Sequence, residues 1–218
     1  MKANIEAKPE LKVIKEEEIK HILEPGEVGA VLELTVTDKD GKVTEHRVMK
    51  SKSFVRQFLE LLWIQANQLN QANAYSLRDT GNTLRAIRQS QYLFNTNAGS
   101  TVTTYGPVVG TGTTAPTIND YALVTPIAHG TGAGQLQYDA VTFGAPASDS
   151  TTSQFTITRN FANASGGAIT VNEIGLYVRA IADSTYYNFM TIRDVISGGI
   201  SVPNGQTLTV NYRLQATI

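Results

Sequence analysis

Val171-Asn172-Glu173-Ile174-Gly175-Leu176-Tyr177-Val178 decides the fold class of this chain. Ile174, Leu176 and Val178 alternate onto one face, and Val171, Glu173, Gly175 and Tyr177 share the other. A period of two, rich in β-branched and aromatic residues, predicts a half-buried strand. Outward from it, residues 103–109, 135–143, 154–161, 168–178, 186–195 and 206–217 read as further strand segments. Turn chemistry separates them: Gly-Thr-Gly, Ala-Pro-Ala-Ser-Asp-Ser, Asn-Ala-Ser-Gly-Gly and Pro203-Asn204-Gly205. In the last segment Leu208, Val210, Tyr212 and Leu214 fall on one face. Strands at this spacing predict an antiparallel β-sandwich or jelly roll over residues 101–218.

Residues 28–100 read as a hairpin-plus-helix region, so that the whole is mainly β with a small α+β N-terminal part. Residues 28–37 alternate, Asp38-Lys39-Asp40-Gly41 turns, and residues 42–49 return, which is a β-hairpin signal. Asp38-x-Asp40-Gly41 starts like a calcium loop but lacks the later ligands and the closing glutamate. Ser53 stands where it can cap a helix beginning at Phe54. Phe58, Leu61, Leu62, Gln65 and Leu69 continue that helix at helical spacing, and Trp63 and Ile64 make it apolar on more than one side. Such a helix is expected to pack on the hairpin and on something else. A strand is plausible over 83–94. Residues 1–27 form a charged arm, in which Leu11, Ile14, Ile22 and Leu23 suit a short amphipathic helix ending at Glu24-Pro25-Gly26 or an extension ordered only by a neighbour.

Charge is divided unevenly along the 218 residues. Of 18 Lys plus Arg, 14 precede residue 89 and 4 follow it; of 19 Asp plus Glu, 13 precede and 6 follow. With a net charge of −1 and no one-sign block, electrostatic nucleic-acid binding is not indicated, and Arg78, Arg85 and Arg88 read as surface or interface residues. A charge-poor β region is easier to understand when other subunits cover part of it. No apolar run approaches the ~20 residues of a membrane-spanning helix, and the N-terminus lacks the pattern of a signal peptide. There is no cysteine, so disulfides and thiolate metal sites are excluded.

No catalytic constellation emerges. Gly110-Thr111-Gly112-Thr113-Thr114-Ala115 has the letters of a dinucleotide fingerprint, but Pro116-Thr117-Ile118-Asn119 follows where a helix must start. It reads as a turn. His21, His46 and His129 stand apart from any metal-ligand spacing. Glu173 and Asp194 lie inside apolar strand patterns, which predicts hydrogen bonds to backbone or to an arginine such as Arg179 or Arg193. Asn163-Ala164-Ser165 is a formal glycosylation sequon. Catalytic, cofactor-binding and metal-ligating residues are therefore all read as none, and no cofactor is expected.

Three segments, in order, resemble tailed-bacteriophage virion proteins. Residues 109–123, with Gly110-Thr111-Gly112-Thr113-Thr114-Ala115-Pro116-Thr117, Asp120 and Ala122-Leu123, look like the opening of a β domain in many such proteins. Glu173-Ile174-Gly175-Leu176-Tyr177 looks like its central strand, also met in tail-collar fibre proteins, and residues 192–195 with 200–210 look like its closing strands. Residues 124–134 depart from that pattern. The resemblance implies a non-enzymatic structural subunit of a virion, made in the host cytoplasm. Its partners would be copies of itself and other capsid, neck or tail proteins, with no direct nucleic-acid or membrane contact. A tail, collar or neck position is expected, with a capsid head-decoration protein as the alternative. From another class, a carbohydrate-binding β-sandwich would use Tyr138, Tyr177, Tyr186 and Tyr187 as stacking faces.

Overall fold

The computed structural model describes residues 13–51, 53–69, 71–88, 94–182 and 185–218. In chain order, helix α1 covers Glu16–Ile19, strand β1 Val28–Thr37, strand β2 Val43–Ser51 and helix α2 Arg56–Ala66. Strands β3 (Tyr75–Arg78) and β4 (Leu84–Ile87) form a small hairpin, and β5 spans Gly106–Gly110. Three two-residue strands follow: β6 (Gln137–Tyr138), β7 (Thr142–Phe143) and β8 (Ala147–Ser148). The four long strands close the list: β9 (Thr152–Ala162), β10 (Ile169–Ala182), β11 (Thr185–Val202) and β12 (Thr207–Thr217).

Two antiparallel sheets face each other. The larger runs β2-β1-β12-β9-β6, with β7 and β8 also paired to β9; the smaller runs β11-β10-β5. Alternation explains the core between them. Ala30, Leu32, Leu34 and Val36 of β1 and Leu208, Val210 and Tyr212 of β12 are buried in one cluster with Val171, Ile174, Leu176, Ile192 and Val202 of the smaller sheet. The expected antiparallel sandwich is thus observed. The hairpin of β1 and β2 is part of it, because β1 pairs with β12 from Val28↔Ala216 to Thr37↔Thr207. Its turn is held as the sequence predicts: Asp38 Oδ1 accepts the amides of Asp40 and Lys42, and Gly41 takes φ +77°.

Several local expectations are corrected by tertiary contacts. Strand β10 is buried on both faces from Glu173 to Val178, because residues 111–125 fold over the side that does not face the larger sheet. Helix α2 begins at Arg56, and Ser53 does not cap it. Ser53-Phe54-Val55 is instead drawn to the edge of β11, where the Arg193 amide donates to Ser53 O at 3.0 Å and the Val55 amide to Thr191 O at 3.1 Å. The helix packs chiefly on β11 and β3 rather than on the hairpin. Gln57, Leu61 and Ile64 are its buried residues, which turns Leu59, Leu62 and Trp63 outward. The N-terminal segment from Val13 to Glu27 is docked on the chain's own sheet. Ile19 and Leu23 cover Val31 on the outer face of β1, the Gln215 side-chain Nε2 donates to Lys20 O at 2.7 Å, and Arg213 pairs with Glu16. Only one helical turn forms there. Of the strand expected over 83–94, Leu84–Ile87 is observed and residues 89–93 lie outside the described residues, as do Leu11 and Asp183.

Candidate functional site: the Glu173 clasp and an uncovered apolar groove

The first and second resemblance segments meet at one buried carboxylate. Glu173, fully buried on β10, accepts the amides of Gly112 (3.1 Å) and Thr125 (2.8 Å) at Oε1. Its Oε2 accepts the Val124 amide at 3.1 Å and Arg193 Nε at 3.0 Å. Arg193, almost fully buried on β11, reaches on to Asp120 Oδ2 at 2.7 Å and Thr114 O at 2.9 Å. The Leu123 amide donates to the Tyr177 hydroxyl at 2.6 Å, whose pKa is raised by burial. Residues 111–125 are therefore clasped to the sheet by an ion pair and a tyrosine.

The geometry explains the glycines. A Cβ at Gly110 would lie 2.6 Å from Thr125 O and 2.7 Å from Glu173 Oε1; one at Gly112 would lie 2.5 Å from the same oxygen. Backbone must approach the carboxylate closely, and only glycine leaves the room. The amides of this turn do meet an anion, as a fingerprint turn would, but the anion is the protein's own Glu173. With both oxygens engaged by four donors, Glu173 is a structural counter-ion rather than a poised base. Asp120 shows opposed influences. Partial burial pushes its pKa up, but hydrogen bonds from the Thr117 hydroxyl and amide and the charge of Arg193 prevail, and the net shift is down.

The other candidates separate. Asp194 pairs across from Ile174, so it faces the larger sheet while Glu173 faces the loop. It accepts the Ser51 hydroxyl at 2.7 Å and the Tyr212 hydroxyl at 3.3 Å. The two carboxylates are thus on opposite faces of the β10–β11 ribbon and do not form a hydrolytic pair. His129 Nδ1 accepts the Tyr138 amide. His46 Nδ1 accepts the Ile14 amide, which leaves Nε2 to donate to Glu33 at 3.0 Å. Among the described residues no cluster of three His, Asp or Glu could hold a metal ion. Arg78 donates to Asn82, and Arg85 pairs with Asp79. Asn163 is buried and donates to Gly167 O and Val202 O, which removes it as a glycan acceptor. Tyr138 and Tyr177 are buried, and Arg85 lies 4.4 Å over the Tyr187 ring, so of the four tyrosines only Tyr186 is exposed, with Arg179 5.0 Å from its ring centre.

Sequence reasoning missed two features. Arg159 of β9 is fully buried and donates to five carbonyls: Asp139, Tyr105, Pro107, Gly99 and Val102, at 2.5 to 3.2 Å. It lies 4.8 Å from the Tyr138 ring centre. Burial pulls its pKa down to about 10, which leaves it protonated at neutral pH. A single charged letter within an alternating strand is the one signal it left.

The second is a groove. On the inner face of the larger sheet the last rows, Val28 with Ala216 and Leu214 with Phe155, line a hollow that no described strand covers. Phe54, Phe58 and Leu59 form the opposite wall, enclosing about 550 Å³. A second hollow of about 290 Å³, lined by Phe58, Leu62, Phe94, Phe143, Phe155 and Leu214 among others, continues it. Neither is lined by a charged residue. Val28 is 83% exposed, Leu59 67% and Trp63 49%. No described helix is long and apolar enough to cross a membrane. No family model matches this chain, and no curated protein or solved structure matches it either.

Proposed function

We propose that this chain is a non-enzymatic structural subunit of a tailed-phage virion, placed in the tail, collar or neck. The observation that carries the proposal is the uncovered apolar groove and the exposed outer stripe of α2 beside it. Contiguous apolar surface of this size marks a place where another protein binds. The three resemblance segments supply the virion setting, and all three contribute to one clasp: Gly112 and Asp120 from the first, Glu173 from the second and Arg193 from the third. In this reading the clasp stiffens the β domain, and assembly proceeds by burial of the apolar face.

The test is made on particles. In virions produced from the genome that carries this sequence and purified to constant composition, mass spectrometry is expected to find this chain at a fixed number of copies relative to the major tail or capsid protein. Its absence from such particles would overturn the proposal.

A further inference from the structure

We infer that the groove is covered by a second copy of this chain, the two copies meeting helix α2 against helix α2. The inference rests on the reading of the chain as an assembling subunit and names the partner at that surface. Val28, Leu59, Leu62, Phe143 and Phe155 line the groove and its continuation, and Trp63 lines an adjoining hollow with Leu59, Glu60 and Tyr75. From their exposures Val28, Leu59, Leu62, Trp63, Phe143 and Phe155 together present on the order of 600–700 Å² of accessible surface, most of the roughly 800 Å² that each partner brings to a standard interface.

Chemistry narrows the occupant. A charged segment would have to desolvate its ions against a lining that carries none to pair with them. Lys2, Glu6, Lys8, Glu10 and Lys12 make residues 1–12 such a segment in sequence. A small polar ligand finds little to orient it, because the lining is largely aliphatic and aromatic. A second α2 fits. Leu59, Leu62 and Trp63 are spaced i, i+3 and i+4, which is the seam by which one helix packs on another. Leu59, Leu62 and Trp63 are themselves uncharged; exposed Arg56 stands at the start of the stripe, and Glu60, beside Trp63, accepts the Tyr75 hydroxyl. Each copy then covers in its partner the apolar surface it leaves open itself.

The experiment uses the full chain in solution. Light scattering at micromolar concentration is expected to give a multiple of the monomer mass. The double substitution of Leu59→Glu and Leu62→Glu, at two exposed positions, is expected to weaken association at least ~100-fold. Far-ultraviolet circular dichroism should be unchanged. The chain has no cysteine, so Leu62→Cys alone provides a clean probe and is expected to form a disulfide-linked pair on oxidation. Trp63, the only tryptophan, is expected to lose quencher access as concentration rises. A monomeric wild-type chain would overturn the inference. So would an oligomer that survives both glutamates, or a Leu62→Cys variant that does not cross-link. Each of these leaves the virion reading standing, since that is decided on particles.

Discussion

At the scale of single residues, the fully buried charges at Glu173–Arg193 and at Arg159 are accommodated in different ways. Glu173 and Arg193 neutralise each other, whereas Arg159 is held by carbonyl dipoles. Replacing Glu173 with Gln leaves Arg193 buried beside an acceptor-poor amide, and an expected loss of about 3–5 kcal/mol should be measurable by urea unfolding. Arg159→Met strands five carbonyls at once and is expected to lose at least about 3 kcal/mol by the same measurement. Gly112→Ala places a methyl against Glu173 and should lose about 1–3 kcal/mol, more than an alanine at exposed Gly167. Asp120 gives a pH dependence. Its folded pKa is depressed below the ordinary 3.8, so its contribution is present above that value and is lost as pH falls through the lower folded value. The urea-unfolding midpoint of Asp120→Asn should fall less steeply with decreasing pH below about 4 than that of the parent. That Glu173 would be held by backbone or by an arginine was legible, with Arg179 and Arg193 both open, and the structure selects Arg193 together with loop amides. The amides of Gly112, Val124 and Thr125 were not legible, because a hydrogen bond from an irregular loop leaves no periodic trace.

Elements show the same division between local pattern and tertiary decision. The long strands begin where alternation put them, although β10 and β11 run on to Ala182 and Val202, past the expected ends at 178 and 195. Pro203-Asn204-Gly205 turns as its residues demand, with the Gln206 amide donating to Pro203 O and Gly205 at φ +80°. Helix α2 was found by its spacing but misplaced at its start. Edge pairing of residues 53–55 with β11 outweighs a serine cap, which is worth only about 1 kcal/mol. Ser53→Ala is accordingly expected to change stability by less than about 0.5 kcal/mol, well short of a lost cap, in thermal or urea unfolding. The segment 13–27 illustrates the converse. Its few apolar letters were too sparse to settle a partner, yet Ile19 and Leu23 find Val31 on the outer face of β1. Sequence periodicity reports which face of an element is apolar, not which neighbour covers it.

For the whole molecule, the unequal width of the two sheets matters most. The larger sheet is five strands wide, while the smaller has the long β10 and β11 but a third strand, β5, of only five residues. The excess inner face is the groove, and α2 covers only part of it. The division of charge along the chain pointed to covered surface in the C-terminal region. The structure puts the apolar opening at the seam between that region and the N-terminal helix instead. Neither half of the sequence shows the groove alone, because its walls come from residues as far apart as Val28, Phe58, Phe155 and Ala216.

The pairing of β1 with β12 carries a consequence for synthesis. Strand β1 leaves the ribosome about 180 residues before its central partner, and until β12 emerges it has only β2 beside it. The larger sheet therefore cannot assemble vector-fashion from its beginning; its nascent first half must wait, with Leu32, Leu34 and Val36 unsheltered. Chains stalled before Thr207 are expected to remain sensitive to protease throughout, and release of the next dozen residues should confer resistance in a single step.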